Sequence, residues 1–91
     1  MRIRWTLTAA DDLQNIANYL FDKTPENAAR LIREIYSAPF SLKSFPNRGR
    51  LGKKPGTREL VMPSLPYVVV YQVQAETVNI VRVLHGSQEW P

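Results

Sequence analysis

The segment that most constrains the fold is the run YVVVYQV at residues 67–73. It carries no charge and is rich in β-branched and aromatic side chains, a composition that favours a central β-strand covered on both faces. A central strand needs a neighbour on each side, and residues 57–62 and 77–84 also have strand character. The short turn QAE at 74–76 joins the run to residues 77–84 as an antiparallel hairpin. The C-terminal half is therefore predicted to form a sheet.

The N-terminal half is predicted to form one strand and two helices. Residues 1–7 alternate between apolar and polar side chains, which indicates a strand. The sequence TAAD that follows resembles a capping box, in which the Thr8 hydroxyl accepts from the Asp11 amide and starts the first helix. Thr24 and Pro25 are typical of the cap and first position of a second helix. The apolar side chains at helical spacing are Leu13, Ile16, Ala17 and Leu20, then Ala28, Leu31, Ile32 and Ile35.

Pro39 interrupts the second helix, but Leu42 and Phe45 continue its apolar period. We expect a kinked or briefly broken helix that ends near Phe45, followed by a loop at residues 46–56 that is rich in proline and glycine. The predicted order is β-α-α-β-β-β. It defines a single α+β, two-layer domain over residues 1–91, in which a helical hairpin packs on one face of a mainly antiparallel sheet.

The composition narrows the class of protein. Ninety-one residues fit one domain. The absence of cysteine excludes disulfides and thiolate metal sites. No apolar run approaches the ~20 residues that span a bilayer, and the N-terminus lacks the apolar stretch of a signal peptide. We therefore expect a cytoplasmic protein without a membrane partner.

The net charge of +4 is concentrated in one place. Residues 48–58, called the basic segment below, contain five basic side chains and no acidic one, whereas residues 1–46 hold six basic and five acidic side chains. Such a local positive field raises the encounter rate with polyanions or with an acidic protein partner. The alternative is a loop whose charge serves only solubility. The basic side chains are Arg48, Arg50, Lys53, Lys54 and Arg58.

Arg82 and His85 are further candidates for a functional site. Arg82 lies within a predicted strand and needs either a salt bridge, for which Glu59 is the candidate, or an anionic target. His85, the only histidine, is either structural or a general acid–base, and the lack of other nearby ligands argues against a metal. Because their separation is odd, the two side chains point to opposite faces of a regular strand. Trp90 is expected to pack against the sheet edge, or alternatively to anchor an interface.

Four stretches together resemble the RelE/ParE toxins of bacterial type II toxin–antitoxin systems. Each alone is only a helix or strand pattern, but their order and spacing extend over almost the whole chain. They are WxxxAxxDLxxIxxY at residues 5–19, the basic segment running into GTRELV at 56–61, PYVVVY at 66–71 and IVRVLHG at 80–86. The resemblance implies the β-α-α-β-β-β fold, no cofactor, growth arrest by free toxin, and a hetero-oligomer with an antitoxin encoded alongside.

The resemblance implies one of two targets. ParE-like members inhibit DNA gyrase, whereas RelE-like members cut messenger RNA in the ribosome with a cluster of Arg, Lys, Tyr or His side chains. In the nucleases, the second residue of the strand matching 67–71 is typically arginine, where this chain has Val68, and some end in a His-Tyr pair, where Gly86 follows His85. We therefore expect a gyrase inhibitor that acts by binding, with a ribosome-dependent mRNA endoribonuclease as the alternative. The expected target-binding residues are Arg48, Arg50, Lys53, Lys54, Arg58, Arg82 and His85, of which Arg58, Arg82 and His85 become catalytic in the nuclease alternative.

The basic segment and the sheet edges should accept an antitoxin tail that folds on binding, with acidic side chains opposite the cations. Exposed charges are screened beyond ~8 Å at physiological ionic strength. We expect the association rate, measured by stopped-flow mixing with purified antitoxin, to fall markedly as the salt concentration rises. A rate that does not change with salt would mean that the basic segment serves solubility and not steering.

Overall fold

The computed structural model describes residues 1–87, so the expectation for Trp90 lies outside the described residues. The described chain contains five β-strands, two α-helices and one 3₁₀ helix. In chain order these are β1 (Arg2–Trp5), α1 (Leu7–Lys23), α2 (Pro25–Ser37), the 3₁₀ helix (Ala38–Lys43), β2 (Arg50–Leu51), β3 (Arg58–Val61), β4 (Tyr67–Gln74) and β5 (Thr77–His85). The α+β fold class is confirmed.

The strands form one mixed sheet in the order β1-β5-β4-β3-β2. β4 and β5 form the predicted antiparallel hairpin, with Tyr67 opposite His85 and Gln74 opposite Thr77. Ala75 in the connecting turn has a φ of 52°, a conformation that non-glycine residues adopt in tight turns. β3 is antiparallel to β4, and β1 is parallel to β5. The sheet is therefore mainly antiparallel, and the uncharged strand β4 lies at its centre as predicted.

The core lies between the helices and one face of the sheet. Val69 and Tyr71 of β4 are fully buried there, together with Ile35 of α2 and Leu42 of the 3₁₀ helix. Val70, on the opposite face because side chains alternate along a strand, is also fully buried. On that second face, called the open face below, strand side chains and not helices surround it. The prediction that β4 is covered on both faces is thus confirmed for its middle residues. The helices cover one face, and side chains of the strands cover Val70 on the other.

The predicted start of α1 is wrong by two residues, because Thr6 and not Thr8 caps the helix. The Thr6 hydroxyl accepts a hydrogen bond of 3.2 Å from the Ala9 amide. It also donates to the carbonyl of Ile80 at 2.8 Å, and the Thr6 amide donates to that carbonyl at 3.1 Å. This attachment to β5 ends β1 at Trp5 and places Thr8, exposed, inside the first helical turn.

The other predicted boundaries differ less. Thr24 and Pro25 occupy the cap and first position of α2 as predicted, although the Thr24 hydroxyl contacts the side chains of Glu26 and Asn27 instead of a backbone amide. The expected break near Pro39 is the change from α2 to the 3₁₀ helix. Residues 46–56 are not wholly loop, because β2 lies within them and pairs with β3.

Removing the cap of α1 should destabilise the protein through two contacts at once. We expect Thr6→Ala to lower the free energy of unfolding by about 1–2 kcal/mol, since it deletes an N-cap and a bond to the sheet. Thr8→Ala is the matched control and should change it by less than ~0.5 kcal/mol, as exposed substitutions do. Chemical denaturation of both variants measures the difference. Equal losses would contradict the assignment of Thr6 as the cap.

Candidate functional site

The basic segment is attached to the core through the buried side chain of Tyr71. The Tyr71 hydroxyl donates to the carbonyl of Pro46 at 2.7 Å and accepts from the amide of Gly49 at 2.9 Å. Tyr71 itself is fully buried in the middle of β4. The entrance to the basic segment is therefore held in position by a side chain from the core.

The tip of the basic segment is a closed turn between β2 and β3. The Gly52 amide donates to the Thr57 carbonyl at 2.8 Å, and the Thr57 hydroxyl donates to the Lys54 carbonyl at 2.6 Å. Gly56 has a φ of +80°, which glycine adopts without strain. Lys53 and Lys54 are exposed on this turn. The two lysines are thus presented at the surface by a turn that satisfies its own backbone.

The arginines of the basic segment differ in what they contact. Arg58 donates from Nη1 to the carbonyls of Gly49, at 2.8 Å, and of Asn47, at 3.3 Å, so it braces the chain internally. Arg48 is exposed and donates to the Ser41 hydroxyl at 2.7 Å. Arg50 pairs through Nε with the Glu59 carboxylate at 2.9 Å, while 65% of its side chain stays exposed. Arg58 therefore supports the surface, whereas Arg48 and Arg50 form part of it.

The open face carries a shallow cleft beside this surface. Arg50, Lys53 and Glu59 line it together with the apolar side chains of β4 and β5, Val68, Val70 and Leu84, and its border reaches His85 and Gly86. Its volume is about 60 Å³, well below the roughly 300 Å³ at which small-molecule sites begin. A cleft of this size with charged side chains at its border suits contact with another macromolecule better than enclosure of a small substrate.

Arg82 does not bind Glu59, and this sequence prediction is wrong. Its guanidinium binds the Asp12 carboxylate of α1 through two hydrogen bonds, Nε to Oδ2 at 2.7 Å and a terminal nitrogen to Oδ1 at 3.2 Å. The Val83 amide donates to the same carboxylate at 2.9 Å. The hydrogen bonding of Arg82 to the Asp12 carboxylate raises the pKa of Arg82 above its ordinary value. Arg82 thus joins the first helix to the end of β5.

His85 lies at the end of β5, at the border of the cleft that Arg50 and Lys53 also line. β5 continues through His85, so Arg82 and His85 stay on opposite faces; Arg82 is opposite Val70, and His85 is opposite Tyr67. The His85 ring packs edge-on against the Tyr67 ring at 5.8 Å between centroids, and Nδ1 lies 2.8 Å from the Ser87 hydroxyl. Burial raises the pKa of Tyr67, with Tyr19 adding to the effect. The described geometry does not bring Arg82 and His85 into one acid–base pair.

Two further features bear on the class of protein. Among residues 1–87, no group of three or more histidine or acidic side chains is arranged to hold a metal ion. No described helix combines the length and the apolar character required for a membrane span. Of the predicted site residues, the structure brings together the cations of the basic segment. Two of them, Arg50 and Lys53, line the open-face cleft together with Glu59.

Residues 3–90 match the family described as the ParE toxin of the type II toxin–antitoxin system parDE. The chain belongs to this family of toxins. Y4kP of Sinorhizobium fredii, which is named as a toxin, is 40% identical over 90 residues, covering 99% of this chain and 93% of its own length. Toxin RelE2 of Caulobacter vibrioides is 34% identical over 96% of this chain and 97% of its own length. The two relatives extend the RelE/ParE assignment over nearly the whole chain.

A solved structure of the family has the same architecture. The chromosomal ParDE toxin–antitoxin system of P. aeruginosa contains a chain with a TM-score of 0.82 and 26% identity, covering 93% of this chain and 95% of that one. The family resemblance inferred from the sequence is therefore confirmed. The structure also shows how two of the family-like stretches interact: Asp12 in the stretch at 5–19 binds Arg82 in the stretch at 80–86.

The ion pair between Asp12 and Arg82 should stabilise the toxin fold. The two side chains are only 14% and 26% exposed. We expect Asp12→Ala to lower the free energy of unfolding by about 1–3 kcal/mol, because it leaves the guanidinium and the Val83 amide without their acceptor. Asp12→Asn retains an acceptor and should cost less. Asp11→Ala, one residue earlier and exposed, is the control and should have little effect. Equal unfolding curves for Asp11→Ala and Asp12→Ala would contradict the structural role of Asp12.

Proposed function

We propose that this toxin inhibits DNA gyrase by binding it, and that a cognate antitoxin neutralises it. The observation that carries the proposal is the separation of the candidate catalytic groups. Arg82 is engaged by Asp12, and the His85 ring packs on Tyr67 at the opposite face of β5. Cleaving RNA by attack of a 2′-hydroxyl requires groups that exchange protons and stabilise charge around one phosphate. Binding requires no such convergence.

The surface charge supports a protein or nucleoprotein target. Arg48, Arg50, Lys53 and Lys54 all present exposed side chains near one end of the sheet. Arg50 keeps most of its side chain exposed although Glu59 binds its Nε. Cations in this arrangement attract an acidic protein surface or nucleic acid and fix its orientation on contact. The match to the ParE toxin family over residues 3–90 adds to the gyrase proposal.

The second candidate is a ribosome-dependent mRNA endoribonuclease, and one observation favours it. Arg50, Lys53 and the Glu59 carboxylate line the same cleft, so cations and a proton acceptor lie side by side. The sequence reasoning did not consider Glu59 for this role, having assigned it to Arg82. The name of the relative RelE2 is compatible with this candidate. In this case Glu59 would be the general base and the cations would stabilise the phosphate.

The two candidates predict different results in paired assays with purified toxin. As a gyrase inhibitor, the toxin should block supercoiling of relaxed plasmid and leave ribosome-bound message intact. Lys53→Glu with Lys54→Glu should raise the concentration for half-inhibition about tenfold, the effect of losing ~1.4 kcal/mol of binding. Lys23→Glu with Arg33→Glu changes the net charge equally on the helices and should have little effect. His85→Ala should retain inhibition.

As a nuclease, the toxin should instead cut message on programmed ribosomes. Glu59→Gln or His85→Ala should then lower the cleavage rate by roughly 10²–10⁴, the loss expected for a general acid or base. Arg82→Ala is a poor probe of chemistry because it also breaks the pair with Asp12. If the wild type cuts the message and either variant abolishes the cleavage, gyrase binding is refuted as the mode of action. Inhibited supercoiling with intact message would refute the nuclease.

A further inference from the structure

Tyr71 lies in the core, yet its hydroxyl ends at the entrance to the basic segment. We propose that Tyr71 is a positioning residue, whose hydroxyl sets the conformation in which the basic segment presents its cations to the target. The inference rests on the proposed function, because it concerns the same binding surface. Tyr71 contacts no target itself; it is fully buried and acts through the backbone of Pro46 and Gly49.

The hydroxyl of Tyr71 uses both of its hydrogen-bonding capacities on the loop. It donates to the Pro46 carbonyl at 2.7 Å and accepts from the Gly49 amide at 2.9 Å. Buried polar groups that lose their partners are destabilising by about 1–3 kcal/mol each. The backbone of residues 46–49 therefore has one favoured conformation, which is set by the hydroxyl oxygen of Tyr71 in β4. A β-bulge in the pairing of β4 with β5 lies between Val70 and Tyr71, and bulges redirect neighbouring side chains.

Gly49 is the residue that permits this close approach. A Cβ at position 49 would lie 2.7 Å from the Tyr71 hydroxyl oxygen and 2.9 Å from the Glu59 carbonyl oxygen. Neither neighbour has room to move, since one belongs to a buried ring and the other to a strand backbone. Any side chain at 49 would push the loop away from the hydroxyl. Glycine is thus required by contact with Tyr71, and the required residue lies between two cations, Arg48 and Arg50.

Arg58 holds the same residue from the other side. Its guanidinium donates to the Gly49 carbonyl at 2.8 Å, while the Gly49 amide is bound by Tyr71. With the amide and the carbonyl of Gly49 both fixed, the backbone directions of Arg48 and Arg50 are fixed as well. A loop ordered before binding loses less conformational entropy on contact than a loop that must be ordered by its target. Losing the hydroxyl should therefore weaken target binding without removing a charge.

The test compares Tyr71→Phe with Tyr67→Phe. Both variants delete one hydroxyl from a buried tyrosine of β4, but only the first removes the bonds to the basic segment. In Tyr71→Phe, we expect amide exchange at Gly49 to quicken about tenfold, as for loss of one hydrogen bond. Exchange at Val69 and Val83 should stay slow. The concentration for half-inhibition of gyrase should rise several-fold, and Tyr67→Phe should leave both measurements near those of the wild type.

Gly49→Ala provides a second variant that keeps the hydroxyl and every charge. It should displace the loop and weaken inhibition as Tyr71→Phe does, which guards against a Tyr71→Phe protein that folds poorly. Unchanged exchange at Gly49 in Tyr71→Phe would overturn the proposal. Faster exchange with unchanged inhibition would also overturn it, because order in the loop would not matter for binding. If the wild type failed to inhibit gyrase, the proposed function would fail, while exchange at Gly49 would still decide whether Tyr71 holds the loop.

Discussion

The C-terminal part of β5 is held by the Asp12 carboxylate of α1, because the neighbouring strand β1 is too short to pair with it. β1 pairs with β5 only from Thr77 to Ile80, which leaves the edge of the following residues without a parallel partner. A buried backbone amide without an acceptor is destabilising. The Asp12 carboxylate accepts from the Val83 amide and from Arg82, and Thr6 satisfies the Ile80 carbonyl. Side chains of α1 and of the residue that caps it therefore provide acceptors and donors that a neighbouring strand would otherwise provide along this edge.

The basic side chains divide into those that make internal contacts and those that are exposed. Arg82 and Arg58 are placed where the sequence suggested target contacts, yet their guanidinium groups bind Asp12 and the backbone carbonyls of Asn47 and Gly49. Both interactions keep a charged group near the protein interior, where it requires partners. The exposed cations of the basic segment are instead those that flank Gly49 and the two lysines of the turn, Lys53 and Lys54. The proposed binding surface is therefore smaller than the number of basic residues in the sequence implies.

The periodicity of the sequence was enough to predict the order of the elements other than β2, the central strand and the break near Pro39, since each follows from neighbours within a few residues. The contacts that define the site were not predictable in this way. Asp12 and Arg82 are 70 residues apart in the chain, and no local pattern chooses Asp12 over Glu59 as the partner. The α1 cap shifted to Thr6 because β5 binds that residue, and β2 exists because β3 pairs with it. Local sequence patterns could not predict these three features, because in each case the partner residue lies far away in the sequence or in another strand.

The shortness of β2 explains why the basic segment needs support from the core. β2 pairs with β3 over only two residues, Arg50 opposite Glu59 and Leu51 opposite Arg58. A two-residue ladder at a sheet edge is too short to hold a hairpin in one orientation. The ion pair of Arg50 with Glu59 adds one restraint, but it is largely exposed at the arginine and so contributes little. The buried Tyr71 side chain supplies a further restraint, because its hydroxyl binds the backbone of Pro46 and Gly49 where the basic segment begins.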